Sequence, residues 1–264
     1  MIKGVHMLKV TFDSNVWRII ATPDSFPSES GIGSIRKINA AIASGKMSGT
    51  LAETVFTLEA IKKVGRQKFL STYRPEMKSN AKGQPDGTIN ISFSIGPDRS
   101  AHPGSNHYLS KHWADAEKLG FKLLHCPRVA ATVNPDLKDE WFINVTHDIA
   151  NRFGSCAREI ESRDCGISQL KEIGKKYAGA GQPWQKGLAL SPDSEEAAIA
   201  KAVAEWADGD TVAAHYAYEN DYVCTRDIGK SGGADSVFSL KNRAWLESKY
   251  GVKFITPENL AAMI

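Results

Sequence analysis

Short apolar runs that read as buried strands alternate along this chain with stretches whose apolar residues recur at three and four positions, the mark of amphipathic helices. Leu8-Lys9-Val10-Thr11-Phe12 is the first strand-like run, and Tyr222-Val223-Cys224-Thr225 is its counterpart near the other end. A helix is expected over residues 34–43, where Ile35, Ile38 and Ile42 share a face and Gly45 stops it. A strand over 48–51 leads into a second helix, 53–68, whose Val55, Leu58, Ile61 and Val64 recur on one side. A polar stretch over 75–87 precedes a strand over 88–95, a helix over 106–119 and a buried strand over 121–125. Further helices are expected over 144–162 and 167–177. Ser191-Pro192-Asp193 supplies a cap, a proline at the first helical position and an early acid for a helix reaching Trp206. The Gly209-Asp210 step starts the next helix; a helix over 241–250, a strand over 252–255 and a helix capped by Thr256 and begun by Pro257 close the chain.

Strands alternating with helices imply an α/β fold, with a parallel sheet covered on both faces. At 264 residues the chain is long enough to bury a sizeable core as one domain. A net charge of +3 is too mild to demand a polyanion partner and does not oppose one. No apolar signal-peptide core opens the sequence and no run is long enough to cross a bilayer, so a cytoplasmic location without a membrane partner is expected. Cys126, Cys156, Cys165 and Cys224 lack any C-x-x-C spacing and read as buried reduced thiols.

Asp13 follows the first strand and Asp227 follows the strand near Val223. In open α/β sheets the carboxyl ends of the strands form the ligand crevice, so both carboxylates are expected on one edge of one sheet. Like charges gathered there repel unless a cation or proton lies between them. Glu59, inside the second helix, and Asp210, at a helix start, complete a four-acid series.

The stretches Phe12-Asp13-Ser14-Asn15, Glu53 through Ala60, Asp210 through Ala217 and Val223-Cys224-Thr225-Arg226-Asp227 resemble the PIN domain family of metal-dependent nucleases in their order and setting. The resemblance covers roughly the first and last seventy residues. It implies a three-layer α/β/α sandwich with a central parallel sheet, one PIN-like domain over 1–264, enlarged by a mainly helical central insertion over about 75–190. It also implies an endoribonuclease that hydrolyses RNA phosphodiester bonds at a Mg²⁺ or Mn²⁺ site, in some relatives as the toxin of a toxin–antitoxin pair. Asp13, Asp210 and Asp227 would then be metal ligands and Glu59 a ligand or water-orienting group, supported by hydrogen bonds from Asn15 and Thr225. An antitoxin or a second copy of the chain would be the protein partner. A silent PIN-like RNA- or protein-binding module and a DNA-directed nuclease are the alternatives.

The chemistry supports such a set independently: phosphodiester cleavage needs an activated water and charge stabilisation, which a hard, oxygen-ligated cation supplies. Asp208 competes with Asp210, and Glu53 with Glu59; the small-residue face of Ala214 and Ala217 favours Asp210. Lys62, Lys63, Arg66, Lys68, Arg74, Lys78 and Lys82 form a basic stretch along which a phosphate backbone could run, with Tyr73 available to stack. Of these Lys63 and Arg66, with Arg226 and Lys230 beside the last acid, are the candidate substrate contacts. His102, His107 and His112 recur every five residues, which aligns them on no helical face, and they read as surface or loop histidines.

Overall fold

A computed structural model describes residues 7–72, 76–96, 102–128, 132–227 and 235–264. Five parallel strands form a central sheet in the order β5-β2-β1-β6-β7: β1 is Leu8–Phe12, β2 Met47–Ala52, β5 Lys122–Leu124, β6 Tyr222–Cys224 and β7 Phe254–Ile255. Among the described residues the other strands, β3 (Glu76–Gly83) and β4 (Ile89–Gly96), pair only with each other, as an antiparallel hairpin. The strand expected over 88–95 is therefore present but outside the main sheet. Its partner β3 was not expected, because Glu76–Gly83 is almost wholly polar and lacks the apolar alternation that Ile89, Ile91 and Phe93 give β4.

Period-two alternation in the central strands sends side chains to two cores. Val10, Phe12, Met47, Leu51 and Leu123 face helices α1 (Trp17–Ala21), α2 (Ile32–Ala43) and α4 (His107–Leu119), together with α10 (Pro257–Ala262). Ala52, Leu124 and Val223 face the other way, toward α5 (His147–Glu161), α8 (Glu196–Ala217) and α9 (Leu240–Tyr250). The result is an α/β fold whose parallel sheet is flanked by helices, an arrangement compatible with three layers. A third core gathers α3 (Lys63–Thr72), α6 (Ile167–Tyr177), α7 (Trp184–Leu190) and the first half of α8 around Leu58, Leu170, Leu188, Val203 and Trp206. Among the described residues no helix is long and apolar enough to cross a membrane. All four cysteines are buried and free.

Two expected helices took a different form. Residues 53–68 do not make one helix: Val55–Glu59 is a π-helical turn, and α3 begins only at Lys63. Arg66 enforces this break. It is buried, and its guanidinium donates to the Ile61 carbonyl at 3.1 Å, the Ala200 carbonyl at 2.9 Å and the Glu59 carbonyl at 3.3 Å. Conversely, residues 196–217 are one helix and not two. Gly209 lies inside α8 because the helix there crosses the Gly166 turn closely; a Cβ on Gly209 would sit 3.1 Å from the Gly166 Cα.

A polar seam joins α8 to the sheet. Nδ1 of His215 pairs with Thr11 Oγ1 at 3.1 Å, and Asn220 Nδ2 donates to Thr11 and Thr50 Oγ1 at 2.8 and 2.9 Å. Burial pushes the His215 imidazole down to about 3, so it is neutral in the fold. Below its ordinary value of about 6.5 the unfolded chain takes up a proton that the folded chain refuses, so this group's contribution to stability rises with pH between about 3 and 6.5. Chemical denaturation of wild type and His215→Gln across that window should show a difference of up to about 1.4 kcal/mol per pH unit, with the wild type losing more on acidification. A difference that stays flat with pH would contradict the assignment.

Candidate active site

The strand order reverses direction between β1 and β6, and this switch point is where an open α/β sheet offers its crevice. Asp13 stands immediately after β1 and Asp227 three residues after β6. Asp13 is buried, with Oδ1 accepting from the Ser14 amide at 2.6 Å and Oδ2 accepting from Thr225 Oγ1 at 2.5 Å and Asn15 Nδ2 at 2.7 Å. Thr225 Oγ1 in turn accepts from the Asp227 amide at 2.9 Å, and Asn15 Oδ1 from the Arg226 amide at 3.3 Å. Thr225 and Asn15 thus tie the two strand-end loops together around the Asp13 carboxylate.

Glu59 enters from the π-helical turn. Its Oε1 accepts from Ser14 Oγ at 3.2 Å, so Ser14 bridges Glu59 and Asp13. Burial, reinforced by the Asp13 charge, pushes the Glu59 carboxyl up to about 7. Burial also raises Asp13, with Asp227 adding repulsion against the hydrogen bonds of Thr225 and Ser14. Glu53, the other acid near this turn, is engaged elsewhere: it accepts the Cys126 amide and pairs with His125 at 3.4 Å.

The fourth acid in this group is Asp208 and not Asp210. Burial raises the Asp208 carboxyl well above its ordinary range, and Asp13, Glu59, Glu205 and Asp227 all push it further. Asp210 points the other way, because two residues along a helix turn the side chain by about 200°. Both its oxygens accept from Arg128, from Nε at 2.8 and 2.7 Å and from an Nη at 2.5 Å, and Trp206 Nε1 donates at 2.9 Å. Arg128 also grips Glu161 at 2.6 Å, which Lys171 holds at 2.6 Å. The small residues that favoured Asp210, Ala214 and Ala217, explain its fate: together with Ala213 they pack into the core on that side of the sheet. The usable sequence signal was the spacing of Asp208, Thr211 and His215 on one helical face, with Thr211 meeting Thr54 at 3.4 Å and His215 meeting Thr11.

The expected substrate contacts divide. Arg66 is consumed by backbone carbonyls, as described above, and is a structural clamp. Arg226 is tied to Glu29, the Ser30 carbonyl and Glu258, so it fastens the Asp227 loop to α10 and the loop before α2. Lys63 is exposed on α3. Lys230, Tyr73 and Arg74 lie outside the described residues. Two groups not anticipated from the sequence join the site. Glu205, one turn before Asp208, is buried, accepts the Val237 amide at 3.1 Å and is raised by burial. Arg243 of α9 donates to the Asp227 carbonyl, with its guanidinium 4.6 Å from the centre of the Phe254 ring. Burial lowers Arg243, against the pull of Asp227 and Asp13. His102 lies in a loop as expected, yet it is buried; His112 is buried on α4, neither on the surface nor in a loop. His102 pairs with the Thr57 carbonyl at 3.1 Å, and His112 packs beside Phe26, Trp17 and Tyr108.

Among the described residues no three or more His, Cys, Asp or Glu side chains are grouped so as to hold a metal ion as they stand. The donor chemistry is nevertheless that of a hard cation: carboxylates without histidine or thiolate, crowded enough to raise one another. Mg²⁺ keeps several waters and binds through one or two carboxylates, so a full protein cage is not required. Comparison with known protein families, curated proteins and solved structures gives no match.

Proposed function

We propose that the chain is a Mg²⁺- or Mn²⁺-dependent nuclease of PIN-like type, acting on RNA at Asp13, Glu59, Asp208 and Asp227. What carries this reading is the hydrogen-bonded linkage of Asp13 to Glu59 through Ser14 and to the Asp227 loop through Thr225 at the switch point, with Asp208 pressed by the same charges and no arginine or lysine forming a salt bridge to Asp13 or Glu59 among the described residues. Self-repelling buried acids cost stability in a chain that has no use for them. A divalent cation relieves that repulsion and, when bound, supplies a nucleophilic water at neutral pH together with charge stabilisation on the phosphate.

In this reading Asp13 is the central ligand, fixed by Thr225, Asn15 and Ser14 so that its oxygens cannot swing away. Asp227 is the ligand from the neighbouring strand. Glu59, pushed up to about 7, holds a proton for part of the neutral range and is suited to orient or deprotonate the attacking water. Asp208 supplies the fourth carboxylate from α8. An RNA partner, and an antitoxin or second copy as protein partner, belong to the same proposal, as does assignment of the segments between about 75 and 190 to an insertion into a PIN-like domain.

The test is a cleavage assay on separate RNA and DNA pools with Mn²⁺ and with chelator. RNA fragments that appear only with the metal support the reading. DNA-only cleavage would make the substrate class wrong, and silence on both pools would remove the enzyme.

A further inference from the structure

Beyond Glu59 the site opens into two adjoining hollows. The nearer, about 180 Å³, is lined by Ser14, Trp17, Arg18, Glu59, Ala60 and Tyr108 among others. The farther, about 540 Å³, is lined mainly by apolar groups, including Ile61, Val64 and Phe69, with Lys62 and Lys68 also on its wall. Ala60 and Asn106 belong to both, so the hollows share a wall and together mark a path leading away from Glu59. The larger lies within the size range of small-molecule sites.

Charge changes sign along this path. Arg18 is half-buried, its guanidinium carbon 5.4 Å from the centre of the Tyr108 ring and close enough to Glu59 to lower that carboxyl. Among the described residues no carboxylate lies within ion-pair distance of Arg18. A planar guanidinium stacked on an aromatic ring and without an ion pair among the described residues, held at the edge of an acidic cluster, is a ready phosphate contact. Tyr108 is half exposed beside it, and an aromatic face next to an apolar hollow suits a base stripped of its pairing partner. The lysines of the outer wall, both exposed, add positive charge where the next phosphate would pass.

Resting on the nuclease reading for its scissile end, we infer that this path is the binding groove for a single-stranded RNA segment, with Arg18 on the phosphate next to the cleaved bond and an unpaired base in the hollow of Ile61 and Phe69. Glu59 links the two, since it forms the boundary between the acidic cluster and the first hollow. Duplex RNA is excluded from this mode, because a paired base cannot enter the hollow.

The test uses Asp13→Asn protein, in which cleavage is expected to be lost, and a fluorescein-labelled mixed-sequence 12-nucleotide RNA read by anisotropy at low salt. Arg18→Ala and the double variant Lys62→Glu/Lys68→Glu are each expected to weaken binding roughly tenfold or more, with Arg18→Lys intermediate. The same RNA annealed to its complement should bind at least about tenfold more weakly. RNA carrying 4-thiouridine should crosslink under ultraviolet light to Tyr108 or to the α3 wall of the hollow. Binding within twofold of the parent for both charge variants, equal binding of the duplex, or crosslinks confined to the β3–β4 hairpin would overturn the groove. Wild-type cleavage with Mn²⁺ is scored separately: Arg18-dependent binding without cleavage sinks the nuclease reading alone, and cleavage with Arg18-independent binding sinks the groove alone.

Discussion

Asp13→Asn and Asp208→Asn should each abolish metal-dependent RNA cleavage, by about a thousandfold or more, while leaving the chain folded. Asp13 is the hub of the site: Ser14, Asn15 and Thr225 all donate to it, and asparagine can keep part of that network while losing the negative charge. Asp208 has no comparable structural load, and its carboxyl is pressed by Asp13, Glu59, Glu205 and Asp227 together. Removing its charge therefore relieves repulsion, and metal-free Asp208→Asn should melt no lower than wild type. Activity gels with Mn²⁺ alongside thermal melts in chelator check both halves. Full activity in Asp208→Asn would return the fourth position to another residue.

Asp210→Ala is expected to behave in the opposite manner, as a folding defect. The Arg128–Asp210 pair is nearly enclosed, with the two side chains 16% and 3% exposed. Truncating Asp210 leaves the guanidinium without its bidentate acceptor and leaves Trp206 Nε1 without a partner. Removing one member of a buried pair costs about 3–5 kcal/mol, which for a chain of this size lowers the melting temperature by on the order of 10 °C. The double variant Asp210→Ala/Arg128→Met should recover much of that loss, because it removes the stranded charge as well. Material of Asp210→Ala that remains folded should still bind Mn²⁺. A variant that is stable but metal-blind would place Asp210 in the site after all.

The contrast between Asp208 and Asp210 shows where sequence reasoning ran out. The strand-end aspartates were legible because a buried parallel strand announces its own end, and the chain after Phe12 and after Cys224 turns polar at once. The α8 acids were not, because Gly209 reads as a helix break when it is in fact a close-approach residue at the Gly166 turn. A false break at that point starts a new helix at Asp210 and hides the continuous face of Asp208, Thr211 and His215. Glu59 was placed in the right segment but the wrong kind of turn, since the carbonyl-capping role of Arg66 depends on Ala200, which lies 134 residues away. The same distance problem hid Arg243, which reaches the site only through the packing of α9 against Phe238 and Phe254. Closeness to an acid in sequence did not separate free cations from structural ones: Arg66 and Arg226 are spent on the fold, whereas Arg18, which also follows an acid closely, lines the hollow beside Glu59.

The raised carboxyls also set a direction with pH. In the metal-free chain Glu59 holds its proton to about 7, so folding gains a proton relative to the unfolded chain between the ordinary carboxylate range and that value. Its contribution to stability therefore falls as pH rises through this window, opposite in sign to that of His215. A bound divalent cation counters the loss by taking the proton's place among the carboxylates.

The most direct measurement is Mn²⁺ binding by isothermal calorimetry at pH 8, on wild type and on Asp13→Asn/Asp208→Asn. Wild type should bind Mn²⁺ saturably and melt at a temperature that rises with Mn²⁺ concentration, and the double variant should lose the binding. Absence of binding at millimolar Mn²⁺, or equal binding by both proteins, would contradict a metal site built on these carboxylates.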